Sequence, residues 1–200
     1  MIGTLGKRET VSQHLATSEE AERRRIDDLV ERAQEDQAEA FAQLYEEFMD
    51  RVYRYVYVRT GHVENTEDMT QEVFVRAFES ISGYREMGRP FLGWLLRIAH
   101  NLLVDHYRRE NRKHFLPLPD DCPSHVENPL ETAEKNFQLV EVRKAMRGLP
   151  PAQREALSLR FIAGLSISEA AMVMGKSQGA VKTLQHEAVV KLRKALTNPL

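Results

Sequence analysis

Four prolines, Pro117, Pro119, Pro123 and Pro129, fall within thirteen residues and divide the chain. Proline fixes φ and has no N–H to give a neighbour. A stretch so rich in it, set among acidic and polar residues, is a linker rather than an element. On both sides, apolar residues recur at three- and four-residue spacings, the period of a helix with one buried face. The expected class is therefore all-α: two small helical domains joined by a flexible Pro-rich linker. The linker is placed at 113–136, twenty-four residues. A coil of that length spans roughly 25–30 Å on average and about 80 Å fully extended. Tethered so, two domains can reach sites well separated in space.

Upstream of the linker, residues 1–25 are polar and are read as a mobile N-terminal extension, helical only near Glu19 to Arg25. Arg23, Arg24 and Arg25 are read as a solvated face paired with nearby glutamates. From Ile26 the helical period takes over, and 26–112 forms the first domain. Phe41, Leu44, Tyr45, Phe48, Val52 and Val56 make one buried stripe, which Gly61 ends. Thr66 is expected to cap the next helix, with Met69, Val73, Phe74, Ala77 and Phe78 inward. Asp68, Gln71, Glu72 and Glu79 are left outside. Gly83 to Pro90 is a loop. Trp94, Leu95, Ile98, Ala99, Leu102 and Leu103 form the next apolar stripe. Arg97, Asn101, Asp105, Arg108 and Arg112 lie on the opposite face of that helix.

Charge separates these segments further. From Glu39 to Ser82 there are nine acidic and four basic side chains; from Gly83 to Lys113 there are seven basic and three acidic. Neighbouring surfaces of opposite sign suit two partners, one basic and one polyanionic. Aromatics set among arginines suit unstacked bases as well as phosphates. The formal net charge of −2 hides this because it averages over the blocks. Residues 139–200 carry ten basic and four acidic side chains, an electrostatic footprint for DNA.

Residues 137–200 make the second domain. Leu139, Val142, Ala145, Met146 and Leu149 form a stripe that ends at Gly148 to Pro151. Pro151 suits the first turn of a helix running through Ala156, Leu157 and Phe161. Gly164 ends it. Ser166 and Glu169 have capping-box spacing, Gly175 makes a turn, and Ser177 caps a last helix to about Leu196. A short helix, a tight turn and a longer helix with polar leading residues form a helix-turn-helix. Ala170, Ala171 and Ala180 are small enough for the crossing. Val181, Leu184, Ala188 and Leu192 would pack inward. Ser177, Gln178, Lys182, Thr183, Gln185 and His186 are the candidates for DNA contact, since glutamine can read adenine and lysine can reach guanine or phosphate.

Other chemistries find little support. Cys122 is the single cysteine, so an intramolecular disulfide and a cysteine-based zinc site are excluded. No metal site or cofactor is expected from the seven scattered histidines. No apolar run approaches eighteen residues, and the N-terminus lacks a signal core. A cytoplasmic chain with no membrane insertion is expected. There is no Gly-rich phosphate loop and no nucleophile motif, so an enzyme is not expected.

The wording of these segments resembles a family. Glu67-Asp68-Met69-Thr70-Gln71-Glu72-Val73-Phe74, Gly93-Trp94-Leu95-Leu96-Arg97-Ile98-Ala99-His100-Asn101 and Asp105-His106-Tyr107-Arg108-Arg109 are similar to region 2 of bacterial sigma-70-family sigma factors. The likeness is to the extracytoplasmic-function (ECF) group. Leu149-Pro150-Pro151-Ala152-Gln153-Arg154-Glu155-Ala156, Gly164-Leu165-Ser166-Ile167-Ser168-Glu169-Ala170-Ala171 and Gly179-Ala180-Val181-Lys182 resemble region 4. The resemblance implies a transcription initiation factor. Asp68, Gln71 and Glu72 would dock on RNA polymerase core. Tyr84, Arg85, Arg89, Arg97, Asn101, Asp105, Arg108 and Arg109 would open and hold the −10 element of promoter DNA. The second domain would read the −35 element. An anti-sigma factor is the further partner implied. Glu187 departs from the pattern, because similar proteins often carry arginine near that position. The rival from another class is a stand-alone helix-turn-helix regulator that binds duplex DNA as a dimer. It would have no need of the acidic helix followed by an aromatic basic loop.

Overall fold

The computed structural model describes residues 5–86, 90–113 and 139–197, and among these every regular element is helical. The helices are α1 (Leu5–Gln34), α2 (Ala38–Thr60), α3 (Val63–Ser80), a 3₁₀ turn (Ile81–Gly83), α4 (Phe91–Lys113), α5 (139–146), α6 (Pro151–Leu157), α7 (Ile167–Met174) and α8 (Gln178–Thr197). Two compact units emerge, residues 1–47 with 80–84, and residues 48–79 with 85–200. Residues 114–138, which include all of the linker after 113, lie outside the described residues.

In the first unit α1 begins at Leu5, well before Glu19, and the chain turns into α2 through Asp36 at φ 61°. Aspartate tolerates this left-handed conformation because its short side chain can bond locally. Leu29, Val30, Ala33, Leu44, Ile81 and Tyr84 are buried. Gln34 ties α1 to the 3₁₀ turn, donating from Nε2 to the carbonyls of Ile81 and Tyr84, both at 2.8 Å. The arginine run is paired as expected: Arg24 lies 3.7 Å from Glu20, and Arg25 lies 2.6 Å from both Glu22 and Glu47. The hydrogen bond from Arg25 lowers the Glu22 carboxyl pKa.

In the second unit the stop and start signals are largely where the spacing puts them. Gly61 ends α2 at φ 73°, with its N–H on the Tyr57 carbonyl at 2.8 Å. That left-handed φ favours glycine, and a Cβ there would also meet the mobile guanidinium of Arg143. Pro151 opens α6. Ser166 and Glu169 form the capping box of α7: the Glu169 N–H donates to Ser166 Oγ at 3.2 Å, and the Ser166 N–H to Glu169 Oε2 at 2.6 Å. Gly175 closes α7 in the left-handed conformation.

Four expectations are corrected. Thr66 does not cap α3, which starts three residues earlier at Val63. Its buried hydroxyl instead donates back to the His62 carbonyl at 2.6 Å and lies 2.7 Å from the Thr60 hydroxyl. Such i−4 back-bonding lets threonine sit inside a helix. Phe78 is 54% exposed, and Val75 beside it is 52% exposed, so the α3 apolar stripe is narrower than its composition suggests. Ala145 likewise lies on the exposed side of α5. The fourth difference follows α6. The helix ends at Leu157, and Ser158–Ile162 winds as a π turn, with the Ala163 N–H on the Ser158 carbonyl at 2.9 Å. The wider turn rotates Phe161 outward to 61% exposure and leaves Leu159 buried.

The core of the C-terminal helices is built from Met146, Leu149, Leu157 and Ala188, with Val142, Val189 and Leu192 packed against them. Arg154 holds the α5–α6 corner by donating to the carbonyls of Met146, Arg147 and Leu149 at 3.0–3.2 Å.

Candidate nucleic-acid interface

On α3, Val73, Phe74 and Ala77 are buried, which leaves Asp68, Gln71 and Glu72 exposed on the other side. Glu72 accepts from Arg76 Nε at 2.7 Å, an i,i+4 pair on a solvated face. Such pairs contribute little to stability. The exposed surface remains acidic around Asp68.

α4 follows and is amphipathic in the other sense. Phe91, Leu92, Leu95, Leu96, Ala99 and Leu103 are buried. Phe91 meets Phe48 and Trp94 with ring centroids at 5.6 and 5.4 Å. Asn101, Asp105, Arg108 and Arg109 are exposed, with Arg108 4.0 Å from Asp105. Arg85 is exposed in the preceding loop, whereas Tyr84 is buried. Arg89 lies outside the described residues. Arg97 is half-buried and does not face solvent as Asn101, Asp105 and Arg108 do. Its Nη1 donates to the Val173 carbonyl and lies 3.5 Å from the Met172 carbonyl, at the end of α7. The negative pole of a helix C-terminus attracts a cation there.

At the front of α8, the Ala180 N–H donates to Ser177 Oγ at 3.2 Å, so Ser177 caps this helix. Val181 and Ala188 are buried and Leu184 is half-buried. That anchoring turns Gln178, Lys182, Thr183 and His186 outward, and all four are exposed. Gln185 is half-buried and accepts from Arg160 Nε at 3.2 Å, which leaves its amide N–H groups as donors. Glu187 accepts from the buried Gln153 Nε2 at 2.7 Å. The acid that departs from the family pattern is thus bonded to α6.

Sequence reasoning missed a buried polar cluster in the second unit. Glu155 on α6 is only 3% exposed. Its Oε1 accepts from the Tyr55 hydroxyl at 2.5 Å and lies 3.1 Å from His100 Nδ1; its Oε2 pairs with Arg59. Arg59 is itself covered, and its own carbonyl accepts from the Tyr107 hydroxyl. Burial, then the charges of Arg59 and Arg97, push His100 down to about 4. At neutral pH the imidazole is uncharged and donates its Nδ1–H to Glu155. Burial also raises the Tyr55 phenol pKa, keeping it a donor.

Among the described residues, no group of three or more histidine, cysteine, aspartate or glutamate side chains could hold a metal ion, and no helix is long and apolar enough to cross a membrane.

Comparison with known proteins adds to this geometry. Residues 44–113 match the family model for Sigma-70 region 2, and residues 145–194 that for Sigma-70, region 4. The chain is 38% identical over 185 residues to the ECF RNA polymerase sigma factor BldN of Streptomyces coelicolor, an alignment covering 92% of this chain and 70% of that protein. It is 35% identical over 154 residues to the ECF RNA polymerase sigma factor SigE of Mycolicibacterium smegmatis, covering 76% of this chain and 59% of that relative's length. Among solved structures it is similar to CnrH in complex with the cytosolic domain of CnrY. The TM-score is 0.67 at 26% identity, over 86% of this chain and 97% of CnrH.

Proposed function

The chain belongs to the ECF group of sigma-70-family RNA polymerase sigma factors, and from that membership we propose how its surfaces divide the work. It is a transcription initiation factor that binds RNA polymerase core and directs it to promoters. Residues 26–112 engage core and the −10 element, residues 137–200 read the −35 element, and 113–136 tether the two. It works in the cytoplasm, where polymerase and promoter are, and catalyses no reaction itself. An anti-sigma factor is a further partner; CnrH, similar in fold, is found with the cytosolic domain of CnrY.

The observation that carries this reading is the juxtaposition along the chain of an exposed acidic helix, a basic helix and a capped helix-turn-helix. Asp68, Gln71 and Glu72 meet a basic surface of core, where complementary charge speeds and orients docking. Arg85, Arg89, Asn101, Arg108 and Arg109 hold the backbone and bases of the melted −10 strand, as cationic grooves do for single strands. Arg97 joins them once its α7 contacts are released, and Asp105 orients Arg108. Tyr84, buried in the free protein, acts as a base platform only where its loop moves. Ser177, Gln178, Lys182, Thr183, Gln185 and His186 face the −35 major groove, with Lys182 on phosphate and Gln178 on a base edge.

The test is binding to a promoter duplex with and without purified core, together with gel filtration of the free chain. A sigma factor binds the promoter tightly only with core. Tight binding as a dimer without core would identify a stand-alone regulator instead.

A further inference from the structure

Glu155 has an unusual set of partners. It sits on α6, yet the groups that satisfy it, Tyr55, Arg59 and His100, all come from α2 and α4. The interior of α5–α8 does not use it; that core is Met146, Leu149, Leu157 and Ala188. Two other bonds run the same way: Arg51 donates to the Ala163 carbonyl at 2.8 Å, and Arg97 donates to the carbonyls that end α7. Resting on the sigma-factor reading above, we propose that the cradle of Tyr55, Arg59 and His100 is a docking surface for the region 4 carboxylate Glu155. Its occupation latches the free protein in a closed form that withholds Arg97 from DNA.

The chemistry suits a reversible contact. A buried ion pair gains little over its desolvation, since water serves both charges well once they separate. An apolar residue at 155 would expose apolar surface on opening, whereas a carboxylate is simply rehydrated. The same exchange makes the contact specific, because closing in any other register would strand a charge away from water. The closed form excludes the DNA-bound form at one named group. Pro90, Gly93, Trp94 and Arg97 of the basic segment line one pocket with Glu169, Met172 and Val173 of α7. A phosphate cannot take Arg97 Nη1 while the α7 carbonyls hold it. Core polymerase, by binding the two regions apart, shifts the population to the open form.

The experiment measures a distance in the full chain. Spin labels are placed at Glu64→Cys on α3 and Lys191→Cys on α8, both exposed, in a Cys122→Ser background. The distance distribution is read for the free protein and for its complex with core. The parent should give one short distance free and a longer one on core. Glu155→Gln should move the free protein toward the long distance, raising the open-to-closed ratio about tenfold, as expected for losing a bond to a charged group. Tyr55→Phe, which removes one hydroxyl, should move it the same way by several-fold, and it decides the matter if Glu155→Gln loses helical signal. Both variants should still bind core and initiate, since neither residue contacts core or DNA. Unchanged free-state distances in both variants, with core binding intact, overturn the latch and leave the sigma-factor reading standing. A parent that fails to bind core overturns that reading instead.

Discussion

α3 and α4 are consecutive amphipathic helices, yet their polar faces meet different fates. On α3 the acidic face is open: Asp68, Gln71 and Glu72 are exposed, and Glu72 pairs with Arg76 of its own helix. On α4 the polar face is divided. Asn101, Asp105, Arg108 and Arg109 are exposed, while Arg97 and His100 are turned to α7 and α6. The two helices show that position on a polar stripe and availability to a partner are separate properties. The first is read from helical period. The second depends on what packs across the stripe from distant sequence.

The largest effect should come from the open side. Reversing charge at both Asp68 and Glu72 places like charges against a basic surface of core, a cost of several kcal/mol. Affinity for core, measured by titration of labelled polymerase, should fall on the order of 100-fold. Circular dichroism should be unchanged, because both positions are exposed. Parental affinity in the double variant would remove α3 from the core contact.

A second comparison sharpens the role of exposure at α8, whose front is as open as α3 but basic. In the complex with core, Gln178→Ala should cost about 1–3 kcal/mol at one −35 base pair and relax preference there. Lys182→Ala should weaken all sequences alike and lower the slope of log affinity against log salt by about one. Identical losses in the two variants would deny a distinction between base reading and phosphate holding.

The smallest effect belongs to the covered part of α4. His100 faces Tyr55 and Arg59 of α2 and Glu155 of α6, and shares its own helix with Arg97. Closed, it is held at about 4; released to water it titrates near 6.5. The value is depressed in the closed form, so protons favour opening. Closed-form stability should decline as pH falls below about 6.5, and the decline should level off below about 4. Because His100 keeps some contact with solvent, the open-to-closed ratio should rise only several-fold at pH 5.5. The rise should vanish in His100→Gln. A pH-independent distance distribution in the parent would remove His100 from the latch.

The helices and their punctuation were legible in the sequence because they rest on local rules. Gly61, Pro151, Ser166, Gly175 and Ser177 act within a turn or two of where they stand. So were the exposed faces of α3 and α8, which follow from period alone. Thr66 was misplaced because Gly61 lets the helix restart at once, leaving its hydroxyl to back-bond rather than cap. Phe78 was assigned to the core on hydrophobicity, yet it lies on the rim of a face too narrow to cover it. The π turn at Ser158–Ile162 has no local marker, and it decides that Phe161 points out. Glu155 escaped because its partners are 55 to 100 residues away in sequence, at His100 and Tyr55. No period reports a contact of that range.

Run-off transcription tests the central claim most directly: purified core polymerase on a library of promoters, with and without this chain. The expected result is a set of transcripts that appears only when both are present, starting downstream of a shared pair of −35 and −10 elements. Core that binds the chain yet yields the same transcripts without it, or no transcript from any promoter, would contradict the account.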